Sequence, residues 1–366
     1  MPLIGIDASR STAVRMTGTE RYSREVIAAM LRVGGHRFRL YARAPIPEPG
    51  SAEVVVIPRM RLWTHLGLGP ELRQRPPGAL FIPAHVLPLG VGLARRPRAV
   101  VTIHDLGYRY FPGAHPLRQR LYLEAGTWFS ARYAAAIAAD SRACAADLIR
   151  FYGVAPEKIT LAYPGPIPSA ALVPGQAEGI LGELELAGRP FVLFVGTLQP
   201  RKNLRRLLQA MALPAMSGLD LVIAGGRGWG GEDLEAAARD LGLGARARFL
   251  GYVSDETKAA LLQGARALAM PSLHEGFGFP VLEAQMAGTP VVASNTSSLP
   301  ETAGDGAILV DPLDPAAIAA GLSVAVGDPA VRANLVARGR ANAARFSWDT
   351  CARQILGLLV PERGRR

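Results

Sequence analysis

Short apolar runs, each long enough for one buried strand, alternate with stretches of helical periodicity along almost the whole chain. This alternation predicts parallel sheets covered by helices on both faces. Two series are legible. In the first, strands are expected at Leu3 to Asp7, Phe38 to Tyr41, Val54 to Ile57, Leu80 to Ile82, Ala99 to Ile103, Ala135 to Ala139 and Ile159 to Ala162. The clearest helix among them runs from Glu20 to Val33. Thr17-Gly18-Thr19 supplies a flexible turn and a capping hydroxyl before it, and Gly34-Gly35 closes it. Four prolines and two glycines between Tyr163 and Gly175 then break any regular pattern and mark a linker. The second series places strands at Phe191 to Val195, Asp220 to Ala224, Ala247 to Leu250, Ala267 to Met270, Val291 to Ala293 and Ala307 to Val310. It ends in helices from Pro315 to Val326, Ala330 to Ala344 and Trp348 to Leu359. The expected fold class is α/β: two Rossmann-like doubly wound domains, residues 1–170 and 171–346, facing across a cleft. In such sheets ligands gather at the carboxyl ends of strands, so the residues that follow each strand carry the most information.

A chain of 366 residues with 49% hydrophobic content can bury two cores. The opening Met1-Pro2-Leu3-Ile4 has no basic leader before a long apolar run and reads as a strand, with no signal peptide expected. The longest weakly charged stretch, Ala79 to Ala94, is too short to span a bilayer and contains Pro83, His85 and Pro88. Cys144 and Cys351 are the only cysteines and have no metal-type neighbours in sequence, which suits a reducing compartment and places the chain in the cytoplasm. The net charge of +11 lies entirely in residues 1–170, where 22 Lys and Arg meet 11 Asp and Glu. That half reads either as a solvated basic surface or as one that favours an anionic partner, such as a phosphorylated acceptor or anionic lipid at the inner face of a membrane. Nucleic acid is not expected, because the arginines are scattered and no nucleic-acid-binding signature is present.

The most informative segment is His274-Glu275-Gly276-Phe277-Gly278-Phe279-Pro280-Val281-Leu282-Glu283, which follows the strand ending near Met270. Gly276 and Gly278 let backbone approach a ligand, and the new helix offers unpaired N–H groups and a positive dipole end, a place that suits phosphate. Glu275 and Glu283 are then placed for a sugar and a ribose hydroxyl. On spacing alone they are equally readable as a loop carboxylate and a local network. In Gly196-Thr197-Leu198-Gln199-Pro200-Arg201-Lys202-Asn203, adjacent cations fall between a strand and a helix start. The helix dipole disfavours cations there unless an anion offsets them, and a departing diphosphate is such an anion. The third segment, Val100-Val101-Thr102-Ile103-His104-Asp105, ends a strand directly in His-Asp. His104 can donate to a sugar hydroxyl with Asp105 orienting its ring, or it is a structural strand-end histidine. After the first strand, Gly18 allows a close approach to phosphate, whereas Asp7 reads as a buried structural carboxylate.

No Asp-x-Asp pair is present to hold a metal on a diphosphate, so no metal or other cofactor is expected and protein cations take that part. Nucleophile-elbow, Walker-type and complete dinucleotide-binding glycine patterns are also missing. Their absence disfavours hydrolase, nucleoside triphosphatase and dehydrogenase chemistry.

Together these residues resemble the retaining GT-B glycosyltransferases of family 4, whose hallmark is a pair of glutamates like Glu275 and Glu283. Further matches are Gly18-Thr19-Glu20-Arg21-Tyr22, Thr102-Ile103-His104-Asp105-Leu106, Gly251-Tyr252-Val253-Ser254-Asp255 and Gly288-Thr289-Pro290-Val291-Val292. The resemblance implies a nucleotide-sugar donor, with Arg201, Lys202 and the backbone around Gly276, Phe277 and Gly278 on its diphosphate. It further implies Glu283 on ribose, Val253 beside the base, and Glu275 and His104 on the transferred sugar. It implies retention by same-face displacement without an enzyme nucleophile, and a closing helix, within residues 347–366, that joins the first domain. The Val-Thr-Ile-His-Asp-Leu form is most like bacterial mannosyltransferases of surface polysaccharide synthesis, which points to GDP-mannose, with UDP-glucose or another UDP-sugar as the alternative. The acceptor is expected to be a glycan or a lipid-linked molecule. An epimerase, a phosphorylase and a noncatalytic nucleotide-sugar-binding protein are the competing readings. With three lysines in the chain, a lysine-bound cofactor of the phosphorylase kind is disfavoured.

Overall fold

The computed structural model describes residues 2–13, 16–58, 62–94, 96–114, 116–228 and 233–361. Val14 and Arg15, in the loop before Gly18, and the last five residues of the expected closing segment lie outside the described residues. The chain divides into two compact units. Met1–Leu106, Pro116–Gly165 and Phe346–Arg366 form the first, and Gly107–His115 with Pro166–Arg345 form the second. The break falls at Gly165, inside the proline-rich linker. Residues 107–115 cluster with the second unit, where the Tyr110 ring lies 4.5 Å from that of His274.

The first unit is built on a seven-stranded sheet of β1 (Leu3–Asp7), β2 (Arg37–Ala42), β3 (Glu53–Val56), β4 (Ala79–Ile82), β5 (Arg98–Ile103), β6 (Ala136–Ala139) and β7 (Ile159–Leu161). Their order is β3-β2-β1-β4-β5-β6-β7, every neighbouring pair is parallel, and the central strands β4, β5 and β6 are almost wholly buried. The second unit carries β8 (Phe191–Val195), β9 (Asp220–Ala224), β10 (Ala247–Gly251), β11 (Ala267–Met270), β12 (Val291–Ser294) and β13 (Ala307–Val310) in the order β10-β9-β8-β11-β12-β13, again parallel. Each expected strand is present with its ends within a residue of the expected ones. The uninterrupted apolar runs arise because strands covered on both faces need no polar alternation.

In both sheets chain order reverses direction beside the first strand of the unit, between β1 and β4 and between β8 and β11. At such a switch point the loops leaving the two strands diverge to opposite faces and open a crevice between them.

The helix Gly18–Val33 begins two residues earlier than expected. A capping box explains the shift: the Thr17 hydroxyl pairs with the Glu20 carboxylate, which also accepts from the Thr17 N–H at 3.2 Å. Tyr22, Val26, Ile27 and Met30 form its buried face. The closing helix Trp348–Leu359 packs on it within the first unit, burying Trp348, Cys351, Ile355 and Leu359, with Arg32 and Asp349 joined at 2.5 Å. Cys144 and Cys351 are both buried thiols outside any disulfide. Among the described residues, no single helix is long and apolar enough to cross a membrane.

Candidate functional site

In the second unit the loops after β8 and β11 flank the switch point. Leaving β8, the chain passes Gly196 (φ 153°) so close to Gly225 that a Cβ on Gly225 would lie 1.9 Å from the Gly196 carbonyl oxygen. Only glycine allows that approach. A single 3₁₀ turn, Pro200–Lys202, follows, and the helix starts only at Leu204, after Asn203 in the left-handed region (φ 60°). Arg201 and Lys202 therefore lie between the strand and the helix, as expected from the sequence, and do not occupy the helix's first turn. Asn203 holds the turn in place by donating to the carbonyls of Pro271 and Pro312 at 2.9 and 2.6 Å.

From β11 the chain delivers Glu275 onto these cations. Its Oε2 accepts from Arg201 Nη1 at 2.7 Å and its Oε1 from Lys202 Nζ at 2.5 Å. The same Arg201 nitrogen donates to the His274 carbonyl at 2.9 Å, and Arg201 Nε to Gln199 at 3.1 Å. The Glu275 backbone is fixed from the other side, because its N–H donates to Ser297 Oγ while Ser297 and Ser298 donate to its carbonyl at 2.6 and 2.9 Å. Glu275 is 5% exposed. Burial alone would raise its carboxyl, but Lys202 and Arg201 outweigh burial and hold it down to about 2. Two fixed cations thus converge on one buried carboxylate at the mouth of the crevice.

Gly278 caps the next helix, Phe279–Ala287, at φ 101°, where a Cβ would meet Leu299 at 2.9 Å. Gly276 is partly exposed in the same turn. Phe277 is buried, and its carbonyl accepts from Ser298 and Thr302 at 3.1 and 2.6 Å, which fixes the loop's backbone. Glu283 lies inside the helix, buried, and pairs with Lys258 at 2.9 Å. Lys258 sits on the helix Asp255–Gly264, whose preceding residues include the partly buried Val253.

Gly18 and His104 belong to the first unit. Gly18 is an exposed first residue of its helix. His104 follows β5, buried, and its ring partner is not Asp105. Nδ1 donates to Asp140 Oδ2 at 2.6 Å and Nε2 to the Pro83 carbonyl at 2.8 Å. The Pro83 carbonyl is an acceptor and the Asp140 carboxylate, when ionised, is another, a pair of partners that favours the protonated ring. Burial opposes that charge, but Asp140, the Pro83 carbonyl and Asp105 overcome it and raise the histidine above its ordinary value. His85 sits alongside in the left-handed region (φ 35°), and its Nε2 accepts from the His104 N–H at 3.4 Å. Burial and the charge on His104 push His85 down to about 3, which keeps it a neutral acceptor. For His104 to donate to a sugar hydroxyl as expected, it must exchange its bond to Pro83 for that contact.

Asp140 was missed in the sequence, although a signal existed. Ile103 pairs with Ala139 in the parallel register of β5 and β6, so the next residues, His104 and Asp140, emerge side by side. An Asp140→Asn variant is expected to lose about 3 kcal/mol of stability near pH 6, as happens when one member of a buried charge pair is removed. Because His104 is raised in the folded state, its contribution is present below pH 6.5 and fades as pH rises through the folded value. Urea melts should show the gap between variant and wild type narrowing from pH 6 to pH 9. A constant gap would separate Asp140 from the charge on His104.

Comparison with known proteins follows the same division. Residues 16–166 match the family described as Glycosyltransferase Family 4, and residues 182–342 match Glycosyl transferases group 1. O-antigen chain mannosyltransferase B of Escherichia coli is 36% identical over 273 residues, which cover 72% of this chain and 70% of that one. D-inositol 3-phosphate glycosyltransferase of Acidothermus cellulolyticus is 36% identical over 230 residues, or 58% of this chain, and the match spans only 50% of the relative. Among solved structures, HepE of Anabaena in complex with UDP and glucose superposes with a TM-score of 0.77 at 21% identity, over 99% of this chain and 100% of that one.

Proposed function

The chain belongs to the family 4 glycosyltransferases and has their GT-B fold, and from that premise we propose a retaining hexosyltransferase that moves mannose from GDP-mannose to a glycan or lipid-linked acceptor. The buried cluster of Arg201, Lys202 and Glu275 at the switch point carries the reading. When the bond from the anomeric carbon to the donor oxygen breaks, negative charge moves onto the diphosphate. Cations fixed at that point stabilise that charge more in the transition state than in the ground state. Glu275, held ionised, accepts hydrogen bonds from hydroxyls of the transferred sugar and fixes its orientation, while Glu283 with Lys258 faces the ribose and Val253 the base. The acceptor attacks the face from which the diphosphate leaves, and a donor phosphate oxygen takes the acceptor proton. His104 acts as a sugar-orienting cation supported by Asp140. No metal is required, because Arg201 and Lys202 neutralise the diphosphate, and the basic first unit serves an anionic acceptor or membrane surface.

The choice of mannose is supported by the mannosyltransferase among the relatives. The UDP-sugar alternative is favoured by the UDP and glucose held by HepE. The test is a transfer assay with GDP-mannose and UDP-glucose in the presence of EDTA, with the anomeric proton of the product read by NMR. Turnover of GDP-mannose that survives EDTA and gives the donor's own anomer is expected. An inverted anomer would remove the same-face mechanism, and dependence on added metal would remove the metal-free donor site.

A further inference from the structure

Three non-glycine residues of the second unit, among those described, adopt the left-handed conformation that L side chains rarely take: Glu185, Asn203 and Ser297. Two of the three border the charged cluster. Asn203 directly follows Lys202, and Ser297 (φ 57°) bonds to the backbone of Glu275. Glycine adopts such a backbone at no steric cost, and asparagine more readily than most residues. Serine fits it less well than either, and a backbone outlier beside a site points to a use for the side chain it carries.

The use is visible in what the hydroxyl reaches. β11 and β12 pair in parallel register, with Met270 opposite Ala293, so their loops leave side by side. Ser297 Oγ accepts from the Glu275 N–H at 3.1 Å and donates to the Glu275 carbonyl at 2.6 Å, and so holds both polar groups of one residue's backbone. Ser298, fully buried, shares its hydroxyl proton between the carbonyls of Glu275 and Phe277 at 2.9 and 3.1 Å. One turn further, on the short helix Leu299–Ala303, Thr302 donates to the same Phe277 carbonyl at 2.6 Å, and Leu299 closes against Gly278.

The short helix is braced at its far end as well. Asn342, from the helix Pro329–Ala343, donates to the Thr302 carbonyl at 2.8 Å and to Gln285 Oε1 at 2.9 Å, while Gln285 Nε2 donates to the Ala303 carbonyl at 2.8 Å. Gln285 and Asn342 are both buried, and a satisfied buried network of this kind is rigid. Residues 297–303 thus form a strut between that network and the loop that carries Glu275.

We propose that Ser297 is a positioning residue for sugar transfer. Its hydroxyl fixes the backbone from which the Glu275 side chain departs, so that the carboxylate meets Arg201, Lys202 and the transferred sugar together. The role rests on the reading of Glu275 as a sugar-orienting carboxylate and on no choice of sugar or acceptor. Without the hydroxyl the Glu275 peptide is free to turn, and a misplacement of about 1 Å is enough to cost on the order of 10²-fold in rate.

The test compares Ser297→Gly, Ser297→Ala, Glu275→Gln and the Ser297→Gly, Glu275→Gln double variant of the full chain. Turnover of GDP-mannose and of UDP-glucose is read as release of nucleoside diphosphate, and binding of GDP and UDP is read by calorimetry. Ser297→Gly loses the hydroxyl but suits the left-handed backbone, so it should unfold in urea no earlier than Ser297→Ala. Both should lose on the order of 10- to 10²-fold in kcat, with donor KM and diphosphate binding within about twofold of the wild type, because Arg201 and Lys202 are untouched. In the Glu275→Gln background the glycine substitution should cost less than about twofold, since the carboxylate that Ser297 positions is gone. A further loss of about tenfold there would give Ser297 a substrate contact of its own and overturn the positioning role. Normal kcat in Ser297→Gly beside an impaired Glu275→Gln would also overturn it, while leaving the role of Glu275 intact. A Glu275→Gln enzyme as active as the wild type, or a wild type that consumes neither donor, would remove the reading of Glu275 and the role of Ser297 together.

Discussion

Replacing Lys202 with alanine is expected to lower kcat by on the order of 10²- to 10³-fold, the effect of removing one preorganised charged donor from a developing anion. Lys202 is buried and reaches Glu275 at 2.5 Å, so its ammonium is already desolvated and fixed before a donor arrives. A group held in this way adds little to ground-state binding beyond charge but much to the departing diphosphate. kcat should therefore fall by a larger factor than KM rises. Arg201→Ala should act in the same direction, and it also removes the bond to the His274 carbonyl. Steady-state kinetics check both variants. A Lys202→Ala enzyme with near-normal kcat would place the leaving group elsewhere.

The second large effect belongs to Glu275→Gln. Removing this carboxylate leaves Lys202 and Arg201 without their shared counter-charge in a buried place, at an expected cost of about 3 kcal/mol at neutral pH. The folded carboxyl is held at about 2, below its ordinary value. Its contribution is thus fully present above about pH 4.5 and is lost as pH falls toward 2. Urea melts of wild type and variant should differ most near pH 7 and converge in acid. Activity should fall even at a low temperature where the variant is still folded, because its amide no longer offers two charged acceptors to sugar hydroxyls. Equal acid sensitivity of the two proteins would show that the ion pairs contribute nothing to folding.

Most of the fold was legible because buried parallel strands leave an unmistakable trace of apolar runs set between helical stretches. Every strand expected from that trace is present. The Glu275 loop and the Arg201-Lys202 turn were legible for a related reason, since each directly follows such a run at a strand's carboxyl end. What sequence could not carry was pairing across strands. The partnership of Arg201 and Lys202 with Glu275 depends on β8 lying beside β11, and that of His104 with Asp140 on β5 lying beside β6. Asp105, adjacent in sequence, seemed the natural partner of His104. A strand alternates its side chains, whereas the neighbouring strand presents a residue at the same height. Glu283 likewise meets Lys258 only because two helices pack together.

The most direct test of the central claim is calorimetric binding of GDP, UDP and ADP, each in EDTA, to the wild type and to Lys202→Ala. Binding of one nucleoside diphosphate to the wild type, at least tenfold weaker in the variant, is the result that a donor site at the Arg201, Lys202 and Glu275 cluster predicts. Binding that Lys202→Ala leaves unchanged, or no binding of any of the three to the wild type, would contradict it.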